Sequence, residues 1–245
     1  MFGLILIFSI LGSLGALLIS ALFLLFPAGI RQRLVPNLVS YATGTLLGAA
    51  FLGMIPAGLQ KAVPFHFSLA LLFGILLFFL LEKLVLWRHS HDEKGVAEPA
   101  SAPLILIGDA FHNLVDGFVI TSAFLISIPL GISVSLAVIA HEIPQEVGDF
   151  AILLENKYSS RKALLLNGLS SLATVPGAIF AYLWLDRVST MVPYILALSA
   201  ASFIYIALSD LMPVLSKHVG GGATIRQMLL ILAGISTIAI FHHGQ

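Results

Sequence analysis

Two consecutive apolar stretches, PLILIGDAFHNLVDGFVITSAFL (residues 103–125) and PLGISVSLAVIAHEIPQEVGDFAILL (residues 129–154), decide how this chain folds. Each is long enough to cross a bilayer as a helix, which takes about 20 residues at a rise of 1.5 Å each. Yet together they carry Asp109, Asp116, Glu142, Glu146 and Asp149. A central acidic residue costs roughly 2.5–3.5 kcal/mol on the insertion scale. With Asp210, these make six of the 12 acidic residues. If all were charged and central, the sum would be on the order of 15–20 kcal/mol, too large to be drift.

The rest of the chain sets the class. Of its 245 residues 59% are hydrophobic and 10% charged, and the mean hydropathy is +1.05. Soluble domains carry about 25% charged residues, so an ordinary water-soluble enzyme is excluded. The 12 Lys and Arg balance the 12 Asp and Glu, leaving no basic excess for nucleic acid. Without Cys there is no disulfide, thiolate metal site or Cys nucleophile.

Apolar stretches lie near 2–26, 38–59, 66–87, 103–125, 129–154, 163–185, 190–215 and 225–241. They predict an all-α integral membrane protein of eight transmembrane helices, one domain over 1–245, with short connectors at Pro27/Gly29, Pro36, Pro64 and Gly220–Gly222. In the last stretch Arg226 snorkels to the interface. The first stretch follows no Lys or Arg but precedes Arg31 and Arg33, so it reads as a retained helix rather than a signal peptide. Lys and Arg collect near cytoplasmic span ends. One set of alternate connectors holds Arg31, Arg33, Arg88, Lys94, Lys157, Arg161, Lys162, Lys217 and Arg226, with Lys83 near an inner helix end. The other holds Lys61 and Arg187. Both termini are therefore expected outside and the 88–102 connector inside.

At about 100° per residue, Asp109, His112, Asn113 and Asp116 share one face of the fourth helix. His141, Glu142, Gln145, Glu146 and Asp149 share one face of the fifth. The two stripes, joined around Ile128 and Pro129, are expected to face each other, placing a metal site between helices 4 and 5. His112 and Asp116 are i, i+4, as are His141 and Gln145, and Glu142 and Glu146, so their donors stack. Imidazole nitrogens with carboxylate and amide oxygens suit Zn²⁺, Fe²⁺ or Mn²⁺. Pro144 leaves the Ala140 carbonyl without its helical partner. Asp109 or Asp210 alone reads equally well as a structural hydrogen-bonding residue. The His89/His91 segment reads as a solvated loop before a weak metal site, His242 and His243 as a polar end, and Met54 as core before pathway thioether.

The two stripes, His112-Asn113-Leu114-Val115-Asp116-Gly117 and His141-Glu142-Ile143-Pro144-Gln145-Glu146-Val147-Gly148-Asp149, resemble the signature of the ZIP (Zrt/Irt-like) family of divalent metal-ion transporters. The likeness is nearest to the subfamily with an HExPHE-type fifth helix. The segment Ala207 to Pro213 in the seventh helix is similar too. The resemblance implies metal ligands at His112, Asn113, Asp116, His141, Glu142 and Gln145, with Glu146, Asp149 and Asp109 as lesser candidates. It also implies a second metal position sharing Asn113, Asp116, Glu142 and Gln145, alternating access, and inverted repeats. The chain departs from the pattern at Gln145, a histidine in the subfamily. It departs again in the sixth helix, which offers Asn167, Ser170 and Ser171 where some members place a carboxylate.

The function expected is transport of a divalent cation (zinc first, with iron, manganese or cadmium) into the cytoplasm, without enzymatic activity or a catalytic cofactor. Expected partners are the metal ion and the lipid bilayer of a multi-pass cell membrane, of bacterial inner-membrane type, with a homodimer as one arrangement. Two other classes compete. HEIPQ is one substitution from the HExxH of a zinc metalloprotease, but lacks the second His and carries Pro144. A haem carrier would use His112 and His141, both already beside carboxylates.

Overall fold

The computed structural model describes residues 1–23, 25–91, 101–155, 158–185, 189–216 and 221–243. It is all-α among these residues. Helix α1 is Phe2–Phe23. Helix α2 runs through Ala28–Gly48, a π-helical turn at Ala49–Met54 and Ile55–Leu59. Then come α3 (Pro64–His91), α4 (Ser101–Ile126) and α5 (Ile128–Glu155). Helix α6 comprises Ser160–Ser171 and Thr174–Leu185. Helix α7 comprises Val192–Tyr205, a π-helical turn at Ile206–Leu211 and Met212–Ser216. Helix α8 is Gly221–His243.

Eight crossings were expected, and the structure corrects that number. Among the described residues six helices are long and apolar enough to cross a membrane: Phe2–Phe23, Arg33–Leu59, Ile128–Phe150, Ser160–Trp184, Val192–Ser209 and Gly221–Ile240. The expected stretches at 66–87 and 103–125 are not among them. In α3 the described apolar part, Pro64–Leu80, is too short to cross by itself. In α4, Asp109, His112, Asn113 and Asp116 crowd into two turns and dilute its hydropathy. Length alone had admitted both. The 92–100 part of the expected inner loop, with Lys94, lies outside the described residues, as do Lys157, Arg187 and Lys217. Nothing is described of the side chains of His89, His91, Asp210, His242 and His243.

Prolines accompany three of the departures from helical regularity. The π-helical turns Ala49–Met54 and Ile206–Leu211 each end two residues before a proline, Pro56 and Pro213. A residue without an N–H leaves a carbonyl one turn back to find another partner. In α6 the same cause acts more strongly. Pro176 cannot donate to the Leu172 carbonyl, which accepts instead from the Val175 N–H at 3.1 Å, and the helix breaks at residues 172–173. The break leaves Asn167, Ser171 and Thr174 buried in the bundle.

Glycine sets the closest helix approaches. A Cβ at Gly117 on α4 would lie 2.2 Å from the Thr174 carbonyl oxygen, and one at Gly177 on α6 would lie 2.3 Å from that of Leu114. The α2–α8 crossing has the same reciprocal form: 2.1 Å from Gly44 to the Ile231 oxygen and 2.4 Å from Gly234 to that of Tyr41. Small residues let backbones touch where there is no water to drive association. Helix α5 packs against α1, α2 and α4, around a core that includes Ile5, Met54, Phe124, Leu130 and Phe203. Met54 is thus a packing residue. We expect Gly44→Ala to lower the thermal unfolding midpoint, at a cost of about 1–3 kcal/mol from forced separation of α2 and α8. Gly3→Ala, with nothing within 4 Å, leaves the midpoint unchanged. Intrinsic tryptophan and tyrosine fluorescence on heating in detergent reads both.

Candidate metal centre

Helices α4 and α5 form a tight antiparallel pair joined at Ser127, whose Oγ accepts from the Leu130 N–H at 3.3 Å. The turn brings the two polar stripes face to face. One ligand atom each from His112, Asp116, His141 and Glu142 lies within 4.8 Å of all the others. The His112 Nε2 is 3.2 Å from the His141 Nε2. It is 3.6 Å from the Glu142 Oε1 and 3.8 Å from the Asp116 Oδ2. The His141 Nε2 lies 3.4 Å from Asp116 and 3.5 Å from Glu142.

His141 is oriented for this. Its Nδ1 donates to the Ala137 carbonyl at 3.0 Å, the bond that fixes a ligating imidazole's tautomer and leaves Nε2 as the lone-pair nitrogen. Its ring also packs edge-on against Phe203 of α7, with centroids 5.6 Å apart. His112 remains partly exposed, while Asp116, His141 and Glu142 are buried. Both oxygens of Asp116 and both of Glu142 are buried without a hydrogen-bond partner. Buried polar atoms are nearly always paired, so four orphaned carboxylate oxygens facing two imidazoles form a donor set for a cation. Two nitrogens and two oxygens suit a first-row divalent ion.

Asn113 and Gln145 are held one step away. The Asn113 Nδ2 donates to the Asp109 Oδ1 at 3.0 Å and the Asp109 carbonyl at 3.1 Å. The Gln145 Nε2 donates to the same Oδ1 at 3.0 Å. The Asn113 Oδ1 accepts from the Thr174 Oγ1 at 2.9 Å. Glu146 turns away from the cluster: its carboxylate accepts from the Asn167 Nδ2 and the Ser171 Oγ. Asp149 is partly buried further along α5. Sequence reading noted Asn167 and Ser171 only as the place of a missing carboxylate, and missed Thr174. Their short polar side chains on an otherwise apolar helix were the available signal. Beside Pro144, the Ile143 carbonyl accepts from the Ser20 Oγ of α1 at 3.0 Å.

The two glutamates of α5 therefore differ in kind. Glu142→Gln brings an NH₂ group into a cluster of unpartnered acceptors and is expected to raise the unfolding midpoint of the metal-free protein. Glu146→Gln sets an amide NH₂ against a donor and is expected to lower it. A scan at neutral pH after chelation and dialysis separates them; shifts of the same sign would contradict the distinction.

Comparison with known proteins agrees with this geometry. Residues 88–242 match the family described as ZIP Zinc transporter. Zinc transporter ZIP13 of Pongo abelii is 31% identical over 220 residues, covering 84% of this chain and 66% of that protein. Zinc transporter foi of Drosophila melanogaster is 38% identical over 142 residues, 58% of this chain and 20% of that protein. Human zinc transporter ZIP4 is 41% identical over 114 residues, 46% of this chain and 18% of that protein. The chain thus spans about two thirds of the first relative and a fifth or less of the other two.

Proposed function

The chain belongs to the ZIP zinc transporter family, and on that premise we propose that it carries a divalent cation, zinc foremost, across a membrane into the cytoplasm by alternating access. Iron, manganese and cadmium are the other cargoes that the same donors accept. The observation that carries this reading is the pair of buried carboxylates, Asp116 and Glu142, lacking hydrogen-bond donors and lying against His112 and His141. A passing cation would neutralise their charge in a low-dielectric interior, where an unpaired ion is costly. We assign the cargo's nearest ligands to these four residues, with the carbonyl oxygens of Asn113 and Gln145 beside them.

The test is zinc uptake into proteoliposomes. Wild-type protein should load zinc above empty vesicles. Asp116→Ala should abolish uptake of every divalent ion, because it removes both a ligand and the charge that balances the cargo. Protons compete with a cation for imidazole and carboxylate groups, so zinc affinity in detergent should fall as pH is lowered. Zinc loading no greater than that of empty vesicles, or an affinity independent of pH, would overturn the reading.

A further inference from the structure

We infer that Asp109 is a positioning residue, which fixes the amide of Gln145 so that its carbonyl oxygen, not its NH₂ group, is offered to the cation. This rests on the metal reading above and extends it to a residue outside the four-residue cluster. A primary amide presents two ends of nearly equal size, one accepting and one donating, and only its partners decide which way it faces. A cation needs the oxygen. The Asn113 amide is held at both ends, by Asp109 and by Thr174. The side chain of Gln145 has one described bond, its Nε2 to the Asp109 Oδ1 at 3.0 Å. The Asp109 Oδ1 that faces Gln145 already accepts from the Asn113 NH₂, so it presents a lone pair rather than a proton, and the NH₂ group of Gln145 faces it. Asp109 is itself buried and is pinned by the Asn113 NH₂ on the same oxygen. Gln145 therefore cannot turn over without setting its oxygen against a carboxylate oxygen. This is the outer-partner arrangement that orients metal-ligating side chains, and its removal typically costs about 10–100-fold in affinity.

The experiment is calorimetric zinc titration of the purified protein in detergent, read as a double-mutant cycle. Gln145→Ala and Asp109→Asn should each weaken zinc binding about 10-fold, and the double variant by about the same 10-fold rather than 100-fold. Unchanged affinity in Gln145→Ala overturns the inference. So does a double variant whose loss is the product of the single losses, which would make Asp109 a ligand in its own right through its second oxygen. A reversed pair covers the case in which Asp109→Asn does not fold. Gln145→Glu sets two acceptors face to face and should lower the unfolding midpoint. Adding Asp109→Asn restores a donor and should recover both the midpoint and zinc binding. Failure of that rescue counts against the inference. His141→Ala tells the two levels apart: if it leaves zinc affinity intact, the metal centre itself is wrong. If it removes binding while Gln145→Ala changes nothing, only the role of Asp109 is wrong.

Discussion

Two carboxylates buried against two imidazoles, without donors to satisfy them, are the constraint around which this bundle is arranged. The Asp116 and Glu142 oxygens have no hydrogen-bond partner, and their ligand atoms lie within 4.8 Å of those of His112 and His141. A structural hydrogen-bond network would have supplied each oxygen with a donor, as protein interiors ordinarily do. Here the donors are withheld and acceptors converge. Such a site is unfavourable when empty and favourable around a positive charge, which is the energetic asymmetry a cation pathway needs.

The neighbouring polar groups show the contrast. Glu146 sits one helical turn from Glu142, yet Asn167 and Ser171 of α6 satisfy both of its oxygens. Asp109 lies one turn from Asn113 and receives two amide groups on one oxygen. These groups knit α4, α5 and α6 into a framework, so the four-residue cluster is held by satisfied polar bonds on one side and by apolar packing against Phe203 on the other. A cluster of unpartnered acceptors needs rigid surroundings, since loose side chains would relax away from one another.

The framework depends on how closely the helices approach. Reciprocal glycines, Gly117 with Gly177 and Gly44 with Gly234, bring carbonyl oxygens to where a single Cβ would stand. The first pair holds α4 against the broken part of α6, which is why Thr174 reaches Asn113. Helix α6 breaks because Pro176 cannot supply an N–H to Leu172. Backbone chemistry in α6 thus decides which polar side chains meet the stripe on α4.

The helical class, the facing of the two stripes and the pairing of His112 and Asp116 with His141 and Glu142 were legible in the chain alone. These follow from local rules: a 3.6-residue repeat puts i and i+4 on one face, and a connector of only a few residues around Ile128 and Pro129 leaves two helices side by side. The number of crossings was not legible: six described helices qualify where eight were expected, and α4 drops out because a run of apolar letters hides how much of its length goes to buried polar groups. Nor could the sequence sort one carboxylate from another. Glu142 and Glu146 share a face, a helix and a motif, and differ only in what α6 brings to them. Gln145 is a candidate ligand by its place in the pattern, but its tie to Asp109, 36 residues away, is visible only in the fold. Spacing within a helix is a property of the chain, but the partner across the interface is chosen by packing, and only the tertiary structure holds that choice.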